Sequence, residues 1–161
     1  MAATHPPTAP AIDSNAMLRH WQGHRRLTRR FIQAFPENEF FKCSVGGMRP
    51  FADLVMEFVG MGAPMLQGLA TGTWNYVETP TPKSRADVLR IWDEKTEEIN
   101  RLWGQLPEEA FQKTHLAFGQ WEGKGHDLIL YVIDNEIHHR AQASVYLRSL
   151  GIEPPAFPDR S

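Results

Sequence analysis

The chain has 161 residues, 42% hydrophobic and 22% charged, with a formal net charge of −2. That length suits one domain with a core needing no staples, and the near-balance of charge argues against a dedicated nucleic-acid binder. The single cysteine, Cys43, excludes an internal disulfide and a cysteine-rich zinc site and suits a reducing cytoplasm. No apolar run approaches the roughly 20 residues of a membrane span.

Residues 1–13 hold Ala, Thr and Pro without a hydrophobic signal core; they read as a disordered leader ahead of one domain over 14–161. A first helix is predicted from about Ser14 to Phe35, with Trp21, Leu27, Phe31 and Phe35 as its apolar stripe and Pro36 ending it. Phe40 to Arg49, with Gly46-Gly47, reads as a loop or extended connection. Pro50 suits the start of a second helix, whose apolar face is Phe51, Leu54, Val55 and Phe58. Gly60, Gly62 and Pro64 should kink or interrupt it before it resumes toward Leu69.

Thr71 to Lys83 reads as a long connection. Ser84 and Asp87 form a capping signature for a third helix to about Leu106, carrying Val88, Ile91, Trp92, Ile99 and Leu102 at helical spacing. A loop through Leu106-Pro107-Glu108 and on to Trp121–Gly125 leads into a last helix, about His126 to Leu150, closed by Gly151 and Pro154-Pro155. With no convincing alternating strand, the expected fold is all-α, a four-helix bundle with a long connection between helices two and three.

The last helix carries an anomaly. Asp134 to Gln142 places seven polar or ionisable residues in nine positions, between Leu128, Ile129, Val132 and Ile133 upstream and Tyr146, Leu147 and Leu150 downstream. Burying such groups unpaired costs several kcal/mol each. Residues four apart differ by about 40° around a helix, so Asn135 and His139 share a row with Val132 and Tyr146. Glu136 falls in the apolar arc as well, and His138 lies nearer its edge.

Two readings stand open. In one, Asn135 and His139 bond each other and a neighbouring helix while Glu136 pairs with Arg140. In the other, facing helices build a metal site around Glu136 and His139, whose Glu-x-x-His spacing carboxylate-metal bundles use, with Glu57 supplying a further ligand. His20 and His24 also have metal-pair spacing, but among Arg19, Arg25, Arg26, Arg29 and Arg30 they read as a solvated face.

Asn135-Glu136-Ile137-His138-His139-Arg140-Ala141-Gln142, then Tyr146-Leu147-Arg148 and Leu150-Gly151-Ile152-Glu153-Pro154-Pro155, resembles the C-terminal signature of the DinB-like family. Met48-Arg49-Pro50-Phe51 at the entry to helix two fits the same pattern. The resemblance implies a bundle of the DinB/YfiT-like metalloenzyme superfamily, often a homodimer, holding a divalent metal on three histidines. Here Glu57, Asn135 and His139 fall at those three positions. So oxygen-rich a set implies zinc, nickel or manganese, weak binding, or none.

Relatives imply a thiol-dependent transferase or hydrolase acting on a small molecule, with a low-molecular-weight thiol as cosubstrate and an association with stress. In that scheme Glu57, Asn135 and His139 are the metal ligands and Glu136 is a further ligand or general base. Asn135 could instead position water, while Arg140, Gln142 and Tyr146 would contact substrate. The alternatives are a non-catalytic, stress-associated dimeric bundle whose polar cluster is structural, and a DNA-associated protein using the arginine-rich first helix.

Overall fold

The structure is a computed structural model that describes residues 12–161; of the expected leader, residues 1–11 lie outside the described residues. Four long helices form the frame: α1 (Ser14–Ala34), α3 (Phe51–Thr71), α4 (Arg85–Trp103) and α6 (Gly125–Ser149). Two short helices, α2 (Glu37–Phe40) and α5 (Glu108–Gln112), and a hairpin of β1 (Thr114–Ala117) and β2 (Trp121–Lys124) fill the connections.

Local chemistry accounts for the ends. Asp13 caps α1, its carboxylate accepting from the Ala16 N–H at 2.6 Å. Ser84 caps α4 through the Asp87 N–H at 3.0 Å, while the Asp87 carboxylate reaches back to the Lys83 N–H. Pro50 stands just ahead of α3 as its N-cap, and Gly72 ends that helix in the left-handed region at φ 74°.

Two expectations are corrected. Of the kink or interruption expected at Gly60, Gly62 and Pro64, the interruption does not occur, and helix α3 runs through all three. At Gly62 the reason is visible, since a Cβ there would stand 2.8 Å from Ile99 Cδ1 and 3.3 Å from Trp21 Cζ2. The glycine marks a close approach of neighbouring side chains rather than a break. The connection after α4 is also no plain loop: it holds α5 and an antiparallel hairpin pairing Thr114 with Lys124 and Ala117 with Trp121. The hairpin turns through Phe118 and Gly119, at φ 53° and 68°.

Helix α6 packs against both α1 and α3, and α4 covers the same two from the other side. The apolar core falls into two parts. One gathers Phe35, Phe40, Phe51, Trp92, Tyr146 and Leu147; the other gathers Trp21, Leu66, Ile99, Trp103, Ile129 and Ile133. Between them along α6 lie Asn135 to Arg140, so a polar layer crosses the bundle between two apolar halves. No helix among the described residues is long and apolar enough to cross a membrane.

Candidate functional site

Successive residues on a helix point about 100° apart, and the polar run of α6 divides accordingly. Asn135 and His139 face α3. Asn135 Nδ2 donates to Glu57 Oε1 at 3.1 Å, and His139 Nε2 stands 3.6 Å from the same oxygen. Arg49 donates to the other carboxylate oxygen, Oε2, at 2.6 Å. Gln142 Oε1 lies 3.1 Å from His139 Nδ1, and the Phe58 ring stacks on the imidazole at 5.8 Å. Tyr146, whose side chain is buried, donates its hydroxyl to the Arg49 carbonyl at 2.9 Å and so fixes the backbone that presents the guanidinium. Partial burial works to raise the Glu57 pKa. The hydrogen bonds from Arg49 and Asn135 and the charges of Arg49 and His139 outweigh it, holding the group below the usual carboxylate value.

Glu136 and Arg140 point elsewhere, toward α1. The Thr28 hydroxyl donates to Glu136 Oε1 at 2.5 Å and accepts from Arg140 Nη1 at 3.0 Å, while that same nitrogen stands 3.7 Å from the carboxylate. Arg140 also donates to the His24 carbonyl at 3.3 Å and lies 2.8 Å from His24 Nδ1; Arg160 Nη1 is 2.8 Å from His24 Nε2. Burial first, then the charges of Arg140, Arg160 and His20, push the His24 pKa from 6.5 down to about 3. Beside them Arg25 lies over the Trp92 ring at 3.7 Å and donates to Thr96 at 2.8 Å. His24 and Arg25 are buried, which corrects the solvated-face reading of α1. They face α6 and α4, whereas Arg29 and Arg30 pair outward with Asp93 and Asp159.

The structure therefore brings together Glu57, Asn135, His139 and Gln142, with Tyr146 behind Arg49. It separates Glu136 and Arg140 from them by placing both in the α1-facing network. Arg49 belongs to the site although spacing alone gave it no role; a basic residue directly before the proline that opens α3 was the available signal.

A cavity of about 470 Å³ opens beside Glu57 between α3, α6, the hairpin and the segment carrying Tyr76. Met61, Met65 and Leu128 form its apolar floor, and Tyr76, Phe118, Trp121 and Tyr131 its walls. These aromatics lay in stretches without helical periodicity or outside the stripe of α6, so pattern reading passed over them.

A divalent metal fits this arrangement poorly. A held ion needs three or more donors turned toward one point. Among the described residues no group of three His, Cys, Asp or Glu side chains converges. The Glu57 carboxylate already carries a guanidinium, and Asn135 turns its N–H₂, a donor, toward it. The Asn135 Oδ1 is buried without a hydrogen-bond partner, but one amide oxygen does not complete a set.

Two solved structures share the fold. A DinB-like protein from Bacillus subtilis is 20% identical, with 88% of this chain and 96% of that one covered and a TM-score of 0.72. One from Bacillus cereus is 15% identical, with 88% and 95% covered and a TM-score of 0.72. No curated protein matches the sequence. The family model for the DinB family matches residues 11–160, almost the whole length, and the chain belongs to that family.

Proposed function

We propose that the protein binds a small organic molecule in the cavity between α3, α6 and the hairpin, with Glu57 meeting the polar end of that molecule. The observation that carries this reading is the double membership of Glu57, which belongs both to the cavity lining and to the polar cluster with Asn135, His139 and Arg49. An apolar cavity of this size with one oriented polar group is the common form of a small-molecule site.

The state of Glu57 favours anchoring over proton abstraction. A general base works best with a pKa near the working pH, and this carboxyl is held below the ordinary range. It offers a fixed polar acceptor instead, its charge matched by Arg49. Asn135 and Arg49 hold the carboxylate in place, and His139, oriented by Gln142 and Phe58, backs it from α6. The thiol cosubstrate that the resemblance implies would react as its anion, and no Lys, Arg or His lines the cavity to hold one.

The test is a fragment screen by NMR on protein with labelled methionine methyls. Fragments that bind should shift the Met61 and Met65 methyls, and Met61→Trp, which fills the cavity, should abolish their binding. Binding that leaves both methyls undisturbed, or survives Met61→Trp unchanged, would place the ligand elsewhere and end this reading.

A further inference from the structure

We propose that the cavity takes an organic ammonium ion with an apolar body, an identification that rests on the cavity reading above. Charge is the first reason. Three lining residues are acids (Glu57, Glu122 and Asp127), and none is Lys, Arg or His. Arg49 outside the lining balances Glu57, and His126 Nε2 stands 3.2 Å from Asp127 Oδ1. Among the described residues the ion pairs do not include Glu122. The mouth thus presents negative charge on two elements, β2 and the first turn of α6, with no basic side chain in the lining against it. An anionic ligand would meet only repulsion there.

The walls are the second and independent reason. Tyr76, Trp121 and Tyr131 are 69%, 50% and 57% exposed. Tyr76 stacks on Phe118 with centroids 4.7 Å apart, and Phe118 meets Trp121 edge-on at 6.1 Å. Gln120 donates to the Tyr76 hydroxyl at 3.3 Å, tying that ring to the hairpin turn. Leaving large aromatics in water forgoes burial, and an apolar patch of this kind marks a binding surface. Aromatic faces carry the negative end of a quadrupole and attract ammonium groups, quaternary ones included. Met61, Met65 and Leu128 would cover the apolar body while the rings and carboxylates surround the charged nitrogen.

An apolar neutral molecule would need the rings but not the acids, and a hydrated metal ion would need the acids but not the rings. The combination selects a cation that carries hydrocarbon.

The experiment titrates three probes by calorimetry and ligand-observed NMR: benzyltrimethylammonium, its uncharged isostere neopentylbenzene, and phenylacetate. Benzyltrimethylammonium should bind about tenfold or more tighter than neopentylbenzene, as a partly desolvated cation over aromatic rings implies, and phenylacetate should bind more weakly than either. Substituting Glu122→Gln together with Asp127→Asn should remove most of the cation's advantage, and Trp121→Ala should weaken the cation further. If neopentylbenzene binds as well as the cation, or phenylacetate binds better, the ammonium assignment is wrong while the cavity reading survives. If none of the three binds and the methionine methyls are silent to every fragment, both fall together. A preference for the cation that persists undiminished in the doubly substituted protein also overturns the assignment, because Glu122 and Asp127, the acids that the assignment makes responsible, would then play no part in it. Should the substituted proteins fail to fold, the ranking of the three probes on the native protein decides alone.

Discussion

Replacing Glu136 with alanine tests whether this residue is a member of the bundle's internal scaffold or of a reactive site. The carboxylate is 1% exposed, and Arg140 and Arg25, both within the same layer, are 3% and 2% exposed. Glu136→Ala strands two buried guanidinium groups without their nearest core anion and removes the acceptor for the Thr28 hydroxyl. Removing one partner of a buried ion pair costs about 3–5 kcal/mol, a large share of the roughly 5–15 kcal/mol that keeps a domain folded. Glu136→Gln keeps an oxygen for Thr28 and loses only the charge, so it should cost about 2 kcal/mol. Glu136→Leu combined with Arg140→Met withdraws both charges and should cost less than Glu136→Ala alone, as buried pairs do when replaced whole. Urea unfolding at neutral pH measures all three, with unchanged slope showing that the same surface is exposed. Ligand binding in folded Glu136→Gln should match the native protein, because Glu136 points toward α1. A cost under about 1 kcal/mol for Glu136→Ala, the size of an ordinary surface change, would refute the argument. So would loss of ligand binding in stable Glu136→Gln.

Three further outcomes are expected. The unfolded His24 ring takes up a proton near 6.5 and the folded ring only near 3, so between those values the unfolded state binds more protons. Stability should fall as pH drops from about 6.5, by at most about 1.4 kcal/mol per pH unit from this group. His24→Gln should flatten that decline, and an equally steep decline in the variant would contradict it. At the start of α6, a Cβ on Gly125 would lie 2.0 Å from the Ala110 carbonyl oxygen. Gly125→Ala should therefore destabilise by about 3 kcal/mol, at the upper end of overpacking costs, whereas an unfolding midpoint equal to the native one would disprove the close approach. Zinc, nickel or manganese added to metal-free protein should leave its melting temperature unchanged. A held ion at a hundredfold excess over its Kd would add about 2.7 kcal/mol, so a rise of several degrees that His139→Ala removes would establish the metal site.

The four long helices were legible because their signals were local: Ser84 with Asp87, Pro50 ahead of Phe51, and Gly151 after Leu150. The hairpin was hidden for a physical reason. Its strands are four residues each, and its turn places Phe118 in the left-handed region where Asn or Asp would have advertised it. Gly62 misled because sequence shows a helix-weakening residue but not the Ile99 and Trp21 side chains that exploit its small size. The location of the polar cluster and the shared row of Asn135 and His139 followed from spacing, whereas the set of Glu57 with Asn135 and His139 was implied by the family resemblance. That Glu136 and Arg140 serve a different neighbour followed from neither. A helix buried on two sides gives no single apolar face, so the arc containing Glu136 was legible while its partner on α1 was not. His24 and Arg25 were hidden likewise, since charge suggested solvent and only the opposing Trp92, Thr96 and Arg140 make their burial tolerable.

The polar layer between the two halves of the core has a mechanical consequence. Apolar side chains exchange neighbours cheaply, and a purely hydrophobic bundle has several longitudinal alignments close in energy. Here a slide of α1 past α6 by one helical turn, about 5.4 Å, would part Thr28 from Glu136 and His24 from Arg140 together, leaving each without a partner in a dry interior. That vernier leaves one alignment available and makes helix sliding a poor means of responding to a ligand. Of the elements that line the cavity, α6 is held in this interlock, whereas the Tyr76 segment and the Phe118–Trp121 turn lie outside it.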